Sequence, residues 1–198
     1  PMEFECQERF FRKQEFSNLY AESSILFNWC INLIQENMEF RHSKSQHLPW
    51  NKKTKIAELQ DPLTKVIVIF TPELKPVAFS TYQITSEPDV NEIPVPCLYC
   101  YELQVLKEFR GFGLGSYLVK CIYQIAQDNT EKCHKIMLTA FKSLPRNRVY
   151  RSPIDFYSRH GFKPDPISPS QCLKPRESSK YDYEIMSKPV LKNFTDIK

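Results

Sequence analysis

Apolar residues recur at helical spacing through the first third of the chain. Leu19, Ile25, Leu26, Trp29, Leu33 and Ile34 fall on one broad face between Phe16 and Phe40, which predicts an amphipathic helix. Ser23 or Ser24 stands where an inner helix would be capped. Residues 42–54 are polar, include Pro49 and Trp50, and read as a loop or a short helix. The β-branched run Lys65 to Phe70 predicts a strand, residues 71–76 a turn, and Val77 to Ile84 a second strand of a hairpin. Residues 85–96 form an acidic, proline-bearing loop. Cys97 to Leu106 is apolar except at Glu102 and Gln104, the pattern of a central strand covered on both faces. Leu114, Leu118, Cys121, Ile122 and Ile125 then mark a helix, and Lys135 to Phe141 a further strand. Pro153 to His160 is a short helix ended by Gly161. A long loop over 163–182 precedes a last strand, Tyr183 to Ser187.

This order predicts an α/β protein with a single mixed central β-sheet flanked by helices. Without internal repeats or a dividing linker, residues 1–198 read as one domain. Residues 1–60 are its helical N-terminal segment and 188–198 a tail.

Composition narrows the function classes. Hydrophobic residues at 41%, aromatic at 13% and charged at 25% support a packed core and argue against wholesale disorder. No apolar run approaches the roughly 18 residues of a membrane span, so no membrane partner is expected. Seven cysteines at irregular spacing, with charged residues after Met2 instead of a secretory signal, are expected to be reduced thiols. The Cys97–Cys100 pair lies in an apolar strand and reads as small buried hydrophobes. His42, His47, His134 and His160 show no ligand spacing, so no metal is expected. A net charge of +4 is too mild for direct nucleic-acid binding. Yet Val66 to Leu106 carries Lys75 against Glu73, Glu87, Asp89, Glu92 and Glu102, a net of 1 − 5 = −4. An acidic middle in a basic chain favours a cationic partner.

The chain has four glycines, where average usage would give about fourteen. Three of them, Gly111, Gly113 and Gly115, fall in one pentapeptide between strand and helix. Glycine there lets backbone N–H groups converge on an anion, the helix N-terminus adds partial positive charge, and Arg110 adds a full one. A P-loop would need Lys after Gly115, where Ser116 stands. A dinucleotide fingerprint would need a third glycine where Ser116 stands. Arg110, Gly113 and Gly115 satisfy a third pattern, [RQ]-x-x-G-x-[GA]. A tight turn with no ligand is the alternative.

Through that loop, and through Leu98-Tyr99-Cys100-Tyr101-Glu102 with Gln104, the chain resembles the GNAT acetyltransferase superfamily from Leu98 to Lys188. Ile136 to Lys142, Ser168-Pro169-Ser170, Tyr183 to Ser187 and Pro76 to Ser80 extend the likeness, with Asn37-Met38 as a local echo. More closely, it resembles the histone-specific N-alpha-acetyltransferase D family. The resemblance implies the GNAT fold with an N-terminal helical extension. It implies acetyl-CoA as co-substrate, no metal, and direct attack by the N-terminal α-amine of histone tails. Those tails, of histone 4 and histone 2A, begin Ser-Gly-Arg-Gly. A monomer in nucleus and cytoplasm is expected.

The residues agree with such chemistry. An α-amine of pKa about 7.7–8.0 needs only mild deprotonation, which one carboxylate acting through water supplies. Glu102 is the candidate, because an ionised side chain in an apolar strand is costly without a task or a partner. A structural pairing is the alternative. By the resemblance, Tyr101 contacts substrate, and Tyr99 either does the same or belongs to the core. The backbone of Leu103, Gln104 and Val105 pairs with pantetheine. Pyrophosphate lies along Gly111, Phe112, Gly113, Leu114, Gly115 and Ser116, beside Arg110. Thr139 lies near the cofactor, and Asn147 is the candidate for a cofactor-holding asparagine. Tyr157 is placed near the thiolate as a proton donor, with core packing as the alternative. Glu87 and Asp89 would meet the arginine of the peptide, Ser168 and Tyr183 would close over it, and Trp50 would line its groove. Two other readings stay open: a GNAT enzyme acting on lysine side chains or small amines, and a non-catalytic CoA- or histone-binding module.

Overall fold

The computed structural model describes residues 11–142 and 152–191. Its first elements are β1 (Arg12–Phe16), α1 (Leu19–Glu22), α2 (Ser24–Lys44) and α3 (Lys52–Gln60). Next come β2 (Lys65–Phe70), β3 (Pro76–Pro88), β4 (Pro94–Val105) and α4 (Leu114–Asp128). The last are β5 (Lys135–Phe141), α5 (Pro153–Arg159), β6 (Lys163–Pro164), α6 (Pro169–Cys172), α7 (Pro175–Ser178) and β7 (Tyr183–Pro189). Among the described residues, seven strands form one sheet in the order β1-β2-β3-β4-β5-β7-β6. The β1/β2, β2/β3, β5/β7 and β6/β7 pairs are antiparallel. The neighbours β4 and β5 are joined through α4, the long crossover that parallel neighbours need. The sheet is mixed and flanked by helices, as the element order predicts.

The chain forms two compact units. One takes the described residues up to Gln83 together with Cys100–Ile122; the other takes Ile84–Tyr99 and the described residues from Tyr123 on.

In the first unit, the N-terminal periodicity resolves into a strand and two helices. Ser23 is extended (φ −159°) and its Oγ accepts from the Leu26 N–H at 3.2 Å, so it ends α1 and caps α2. The register this sets buries Phe27, Cys30, Ile31, Leu33 and Ile34 against Val66, Val68, Phe70 and Phe79. Each such side chain contributes about 1.5–3 kcal/mol on burial. Ile25, expected on that face, lies in the first turn of α2 and is exposed. The strand β1 is exposed at four of its five positions. It pairs from Arg12↔Phe70 to Phe16↔Val66 as a charged edge strand. Asn51 caps α3, its side chain accepting from the Thr54 N–H at 3.2 Å, so the segment expected as a loop or a short helix over 42–54 leads into a helix that runs to Gln60.

In the second unit, the expected 85–96 loop contracts. Strand β3 continues to Pro88 and β4 starts at Pro94. The turn between them is held by Asp89, whose Oδ1 accepts the N–H groups of Asn91 (2.8 Å) and Ile93 (2.9 Å). The 163–182 stretch contains β6, α6 and α7. Asp165 anchors it to β5 through Lys135, 2.8 Å away. Gly161 takes φ +82° just after α5, as a C-terminal glycine should.

Strand β4 departs from the expected double coverage. Cys97 and Leu98 are both buried, but from Tyr99 onward burial alternates. Cys100, Glu102 and Gln104 face inward, while Tyr99, Leu103 and Val105 are half-buried and Tyr101 is exposed. The described cysteines are all free thiols, and burial pushes Cys97 and Cys100 up to about 12. That fits their reading as small hydrophobes. No helix among the described residues is long and apolar enough to cross a membrane.

Candidate active site

The glycine turn uses its glycines for left-handed backbone. Gly111 has φ +89° and Gly113 φ +79°, values that strain any side chain with a Cβ. The turn delivers the chain into α4, whose first hydrogen bond runs from the Tyr117 N–H to the Gly113 carbonyl at 3.0 Å. The first N–H groups of a helix lie outside its own hydrogen-bond ladder and face whatever sits at its N-terminus. The Arg110 side chain is not a free phosphate arm. Its Nε donates to the Val105 carbonyl at 3.2 Å and its Nη2 to Asn37 Oδ1 at 2.5 Å, so it ties the turn to β4 and α2. Arg41, on α2, has a buried Nη1 with no hydrogen-bond partner among the described residues. Burial, and then the like charge of Arg110, hold its guanidinium below the ordinary arginine value.

Glu102 is buried and partnered. Its Oε1 lies 3.0 Å from Lys55 Nζ, and its Oε2 accepts from Gln104 Nε2 at 2.8 Å. Lys55 also meets Glu58 at 2.9 Å. Burial alone would lower the Lys55 ammonium, but Glu102 and Glu58 outweigh it and hold it above the ordinary lysine value. The chain continues from Gln104, whose Oε1 accepts from Asn37 Nδ2 at 3.0 Å.

Beside Glu102 along β4, Tyr101 turns outward, 36% exposed. It lines a pocket of about 150 Å³ with Glu58, Asp61, Thr64, Thr81 and Gln83. The lining has two carboxylates and no cation. Gln83 bridges it, donating to Thr64 Oγ1 at 2.8 Å and accepting from Tyr101 Oη at 3.5 Å. The Thr81 hydroxyl is buried without a partner among the described residues. Trp50 is half-buried, its ring 5.7 Å from that of His42, and packs on the first unit's apolar core.

The second unit holds the other expected residues. Tyr99 Oη and Thr139 Oγ1 are 2.7 Å apart. Tyr157 is half-buried with its ring edge-on to Phe156 and Phe162, the packing alternative considered for it. Ser168 is fully buried and does not present a surface to a peptide. Its Oγ donates to Glu184 Oε2 at 2.5 Å and accepts the Ile185 N–H at 3.0 Å. Ser170 donates to the same Oε2 at 2.7 Å, and Lys142 meets Oε1 at 2.9 Å. Tyr183 is half-buried edge-on to Tyr181. Burial first, then Tyr181 and Asp182, raise its hydroxyl above the ordinary tyrosine value. Glu87 lies on β3 instead of in a loop, and the Asp89 carboxylate is engaged in its own turn. Asn147 lies outside the described residues.

The sequence reading missed Lys55, Glu58 and Asp61, and placed Asn37 and Glu184 in matching segments without giving either a role. Lys55 and Glu58 left one signal, an i, i+3 pair behind the Asn51 cap. The others are brought in by tertiary structure. Among the described residues, no cluster of His, Cys, Asp and Glu could hold a metal ion.

Known proteins share the family and the fold. N-alpha-acetyltransferase 40 of Saccharomyces cerevisiae is 26% identical over 158 residues, covering 71% of this chain and 54% of its own. The chain thus spans about half the length of that relative. The fold is shared with Arabidopsis thaliana NAA60 in complex with a bisubstrate analogue: TM-score 0.61 and 9% identity over 91% of this chain and 99% of the other. An aminoglycoside 6'-N-acetyltransferase complexed with coenzyme A also shares it: TM-score 0.61 and 13% identity over 92% and 98%. The family model described as "Acetyltransferase (GNAT) domain" matches residues 66–164. That span is half of the chain and runs from β2 through the carboxylate strand and the glycine turn to β6: the chain belongs to the GNAT acetyltransferase domain family.

Proposed function

We propose that the chain transfers the acetyl group of acetyl-CoA to the N-terminal α-amine of peptides, with histone 4 and histone 2A tails beginning Ser-Gly-Arg-Gly as substrates in nucleus and cytoplasm. The observation that carries this reading is the arrangement of β4. Within a few residues it offers a pocket-lining tyrosine, Tyr101, and a buried carboxylate, Glu102, then leads into the glycine turn. The curated relative named as an N-alpha-acetyltransferase supports the same reading.

The turn fits an anionic group. Two glycines in left-handed backbone, the N-terminus of α4, and the guanidinium of Arg41, close enough to Arg110 to feel its charge, favour an anion there. Acetyl-CoA supplies an activated thioester to this site. The backbone of Leu103, Gln104 and Val105 aligns its pantetheine arm as an added strand would, and Gly111 to Ser116 hold its pyrophosphate. Glu102 is 5% exposed, so it takes the proton of the α-amine through a water instead of by direct contact. Tyr101 orients the incoming N-terminus. A cationic side chain of the peptide enters the pocket bearing Glu58 and Asp61, so these residues carry out the task expected of Glu87 and Asp89. Charge pairing in such a half-enclosed site favours the bidentate geometry of arginine.

A panel of peptides varied over the first four residues, with the acetylated atom mapped by fragmentation, tests this function. Acetylation of the α-amine of Ser-Gly-Arg-Gly peptides, weakened when the arginine is replaced, is the expected result. Acetate on a lysine side chain, or equal rates without the arginine, contradicts it.

A further inference from the structure

Arg110, Asn37, Gln104 and Glu102 form one unbroken hydrogen-bonded chain in the first unit. Arg110 Nη2 donates to Asn37 Oδ1 (2.5 Å), Asn37 Nδ2 to Gln104 Oε1 (3.0 Å), and Gln104 Nε2 to Glu102 Oε2 (2.8 Å). Its ends differ in chemistry. A guanidinium can only donate and an ionised carboxylate can only accept. The two ends therefore dictate how both amides between them face. Asn37 must turn its oxygen to Arg110 and its nitrogen to Gln104, and Gln104 must then turn its nitrogen to Glu102.

We infer that Asn37 is a positioning residue that couples order in the glycine turn to the placement of Glu102. This rests on the reading of that turn as the acetyl-CoA site and of Glu102 as the base. Asn37 comes from α2, 67 residues before Gln104 in sequence, yet its side chain joins Arg110 to Gln104. A second bond from Asn37 Nδ2 to the Val105 carbonyl, 3.4 Å, and one from Arg110 Nε to the same oxygen, 3.2 Å, brace the link against β4. At its far end the chain closes on Lys55, which fixes the other oxygen of Glu102 at 3.0 Å. Arg110 directly precedes Gly111, so an occupant that orders the turn also orders the guanidinium. Through Asn37 and Gln104 that order reaches the carboxylate, so the base is set in place when the co-substrate is bound. In a buried polar chain each member depends on the next, and a broken link leaves an orphaned partner.

Asn37→Asp separates the two halves of the coupling. Aspartate still accepts from Arg110, so the turn stays anchored, but it cannot donate to Gln104. Gln104 then loses its donor or turns its own oxygen toward Glu102. The expected result is an acetyl-CoA Kd within about twofold of wild type by calorimetry, with kcat lowered about tenfold. Asn37→Leu breaks both halves, raising that Kd about fivefold as well as lowering kcat. Gln104→Met keeps the volume and breaks the link to Glu102 alone; it lowers kcat like Asn37→Asp and carries the test if the aspartate variant does not fold. Wild-type kcat and Kd in folded Asn37→Asp and Gln104→Met, with only the melting temperature changed, overturn the coupling. Glu102→Gln assayed alongside tells the two readings apart. A dead Glu102→Gln beside a fully active Asn37→Asp overturns the coupling alone. Full turnover by Glu102→Gln overturns the base assignment and the coupling with it.

Discussion

Glu102 in the first unit and Glu184 in the second are both buried, 5% and 6% exposed. Each is paired with a lysine, at 3.0 Å to Lys55 and 2.9 Å to Lys142. They differ in what their remaining donors belong to. Glu184 takes the hydroxyls of Ser168 and Ser170 on its second oxygen, and both serines sit on the segment that β7 must hold down. Burial would raise the Glu184 carboxyl, but those two hydroxyls and Lys142 outweigh it and hold it below the ordinary carboxylate range. It is a clasp. The second oxygen of Glu102 takes an amide from the chain that starts at the glycine turn, and the preceding residue of the strand, Tyr101, lines a pocket. Burial therefore does not distinguish the proposed base from a clasp. The donors do: hydroxyls of the segment being fastened in one case, a relay from the proposed co-substrate turn in the other.

Exchanging each carboxylate for its amide gives the widest separation. Glu102→Gln is expected to lower kcat by about 10²–10⁴-fold, the usual contribution of a general base. Glu184→Gln should leave the kcat of the folded protein within about threefold but lower stability by about 2–4 kcal/mol in urea unfolding. Glu58→Gln combined with Asp61→Asn tests whether the Tyr101 pocket belongs to the Glu102 side of the contrast. It should raise KM about tenfold for a peptide with arginine at its third position, and less for a neutral peptide, in steady-state assays.

Acid titration reads the clasp by itself. The folded-state value of Glu184 is depressed, so its stabilisation is present above the unfolded carboxylate value of about 4.3 and is lost as pH falls through the folded value. Stability measured by denaturant from pH 6 downward should fall less steeply in Glu184→Gln than in wild type. Asp165, depressed despite its burial by Lys135, Ser187 and the Ile167 N–H, accounts for part of the slope that remains. The smallest effect is expected for Ser170→Ala. It removes one of two hydroxyls from the Glu184 oxygen and should cost about 1 kcal/mol in the same unfolding assay.

The contrast also marks what a sequence can carry. Strands β2 and β5, the core of β4 and the helix after the glycines were readable because β-branched runs and 3.6-residue spacing are local signals. Strand β1 was not, because four of its five side chains face solvent and its pairing with β2 is a tertiary choice. Helix α3 was half hidden because its single buried residue, Leu59, leaves almost no apolar stripe. Glu102 stood out as a charge in an apolar strand, but Lys55 and Asn37 reach it only through the fold. Asp89 read as an acid for a cationic partner, whereas its side chain closes a turn over Asn91 and Ile93. Ser168 read as a surface contact, and its hydroxyl is spent on Glu184. In both cases a short polar side chain had a backbone or buried partner that composition does not reveal.

Glu102, and not Glu184, is the proposed base. This assignment is tested most directly by kcat for α-amine acetylation of a Ser-Gly-Arg-Gly peptide, measured side by side in wild type, Glu102→Gln and Glu184→Gln at saturating acetyl-CoA. A loss of at least about a hundredfold confined to Glu102→Gln is the predicted result. Glu102→Gln turning over within a few-fold of wild type, or Glu184→Gln falling as far while still folded, would contradict it.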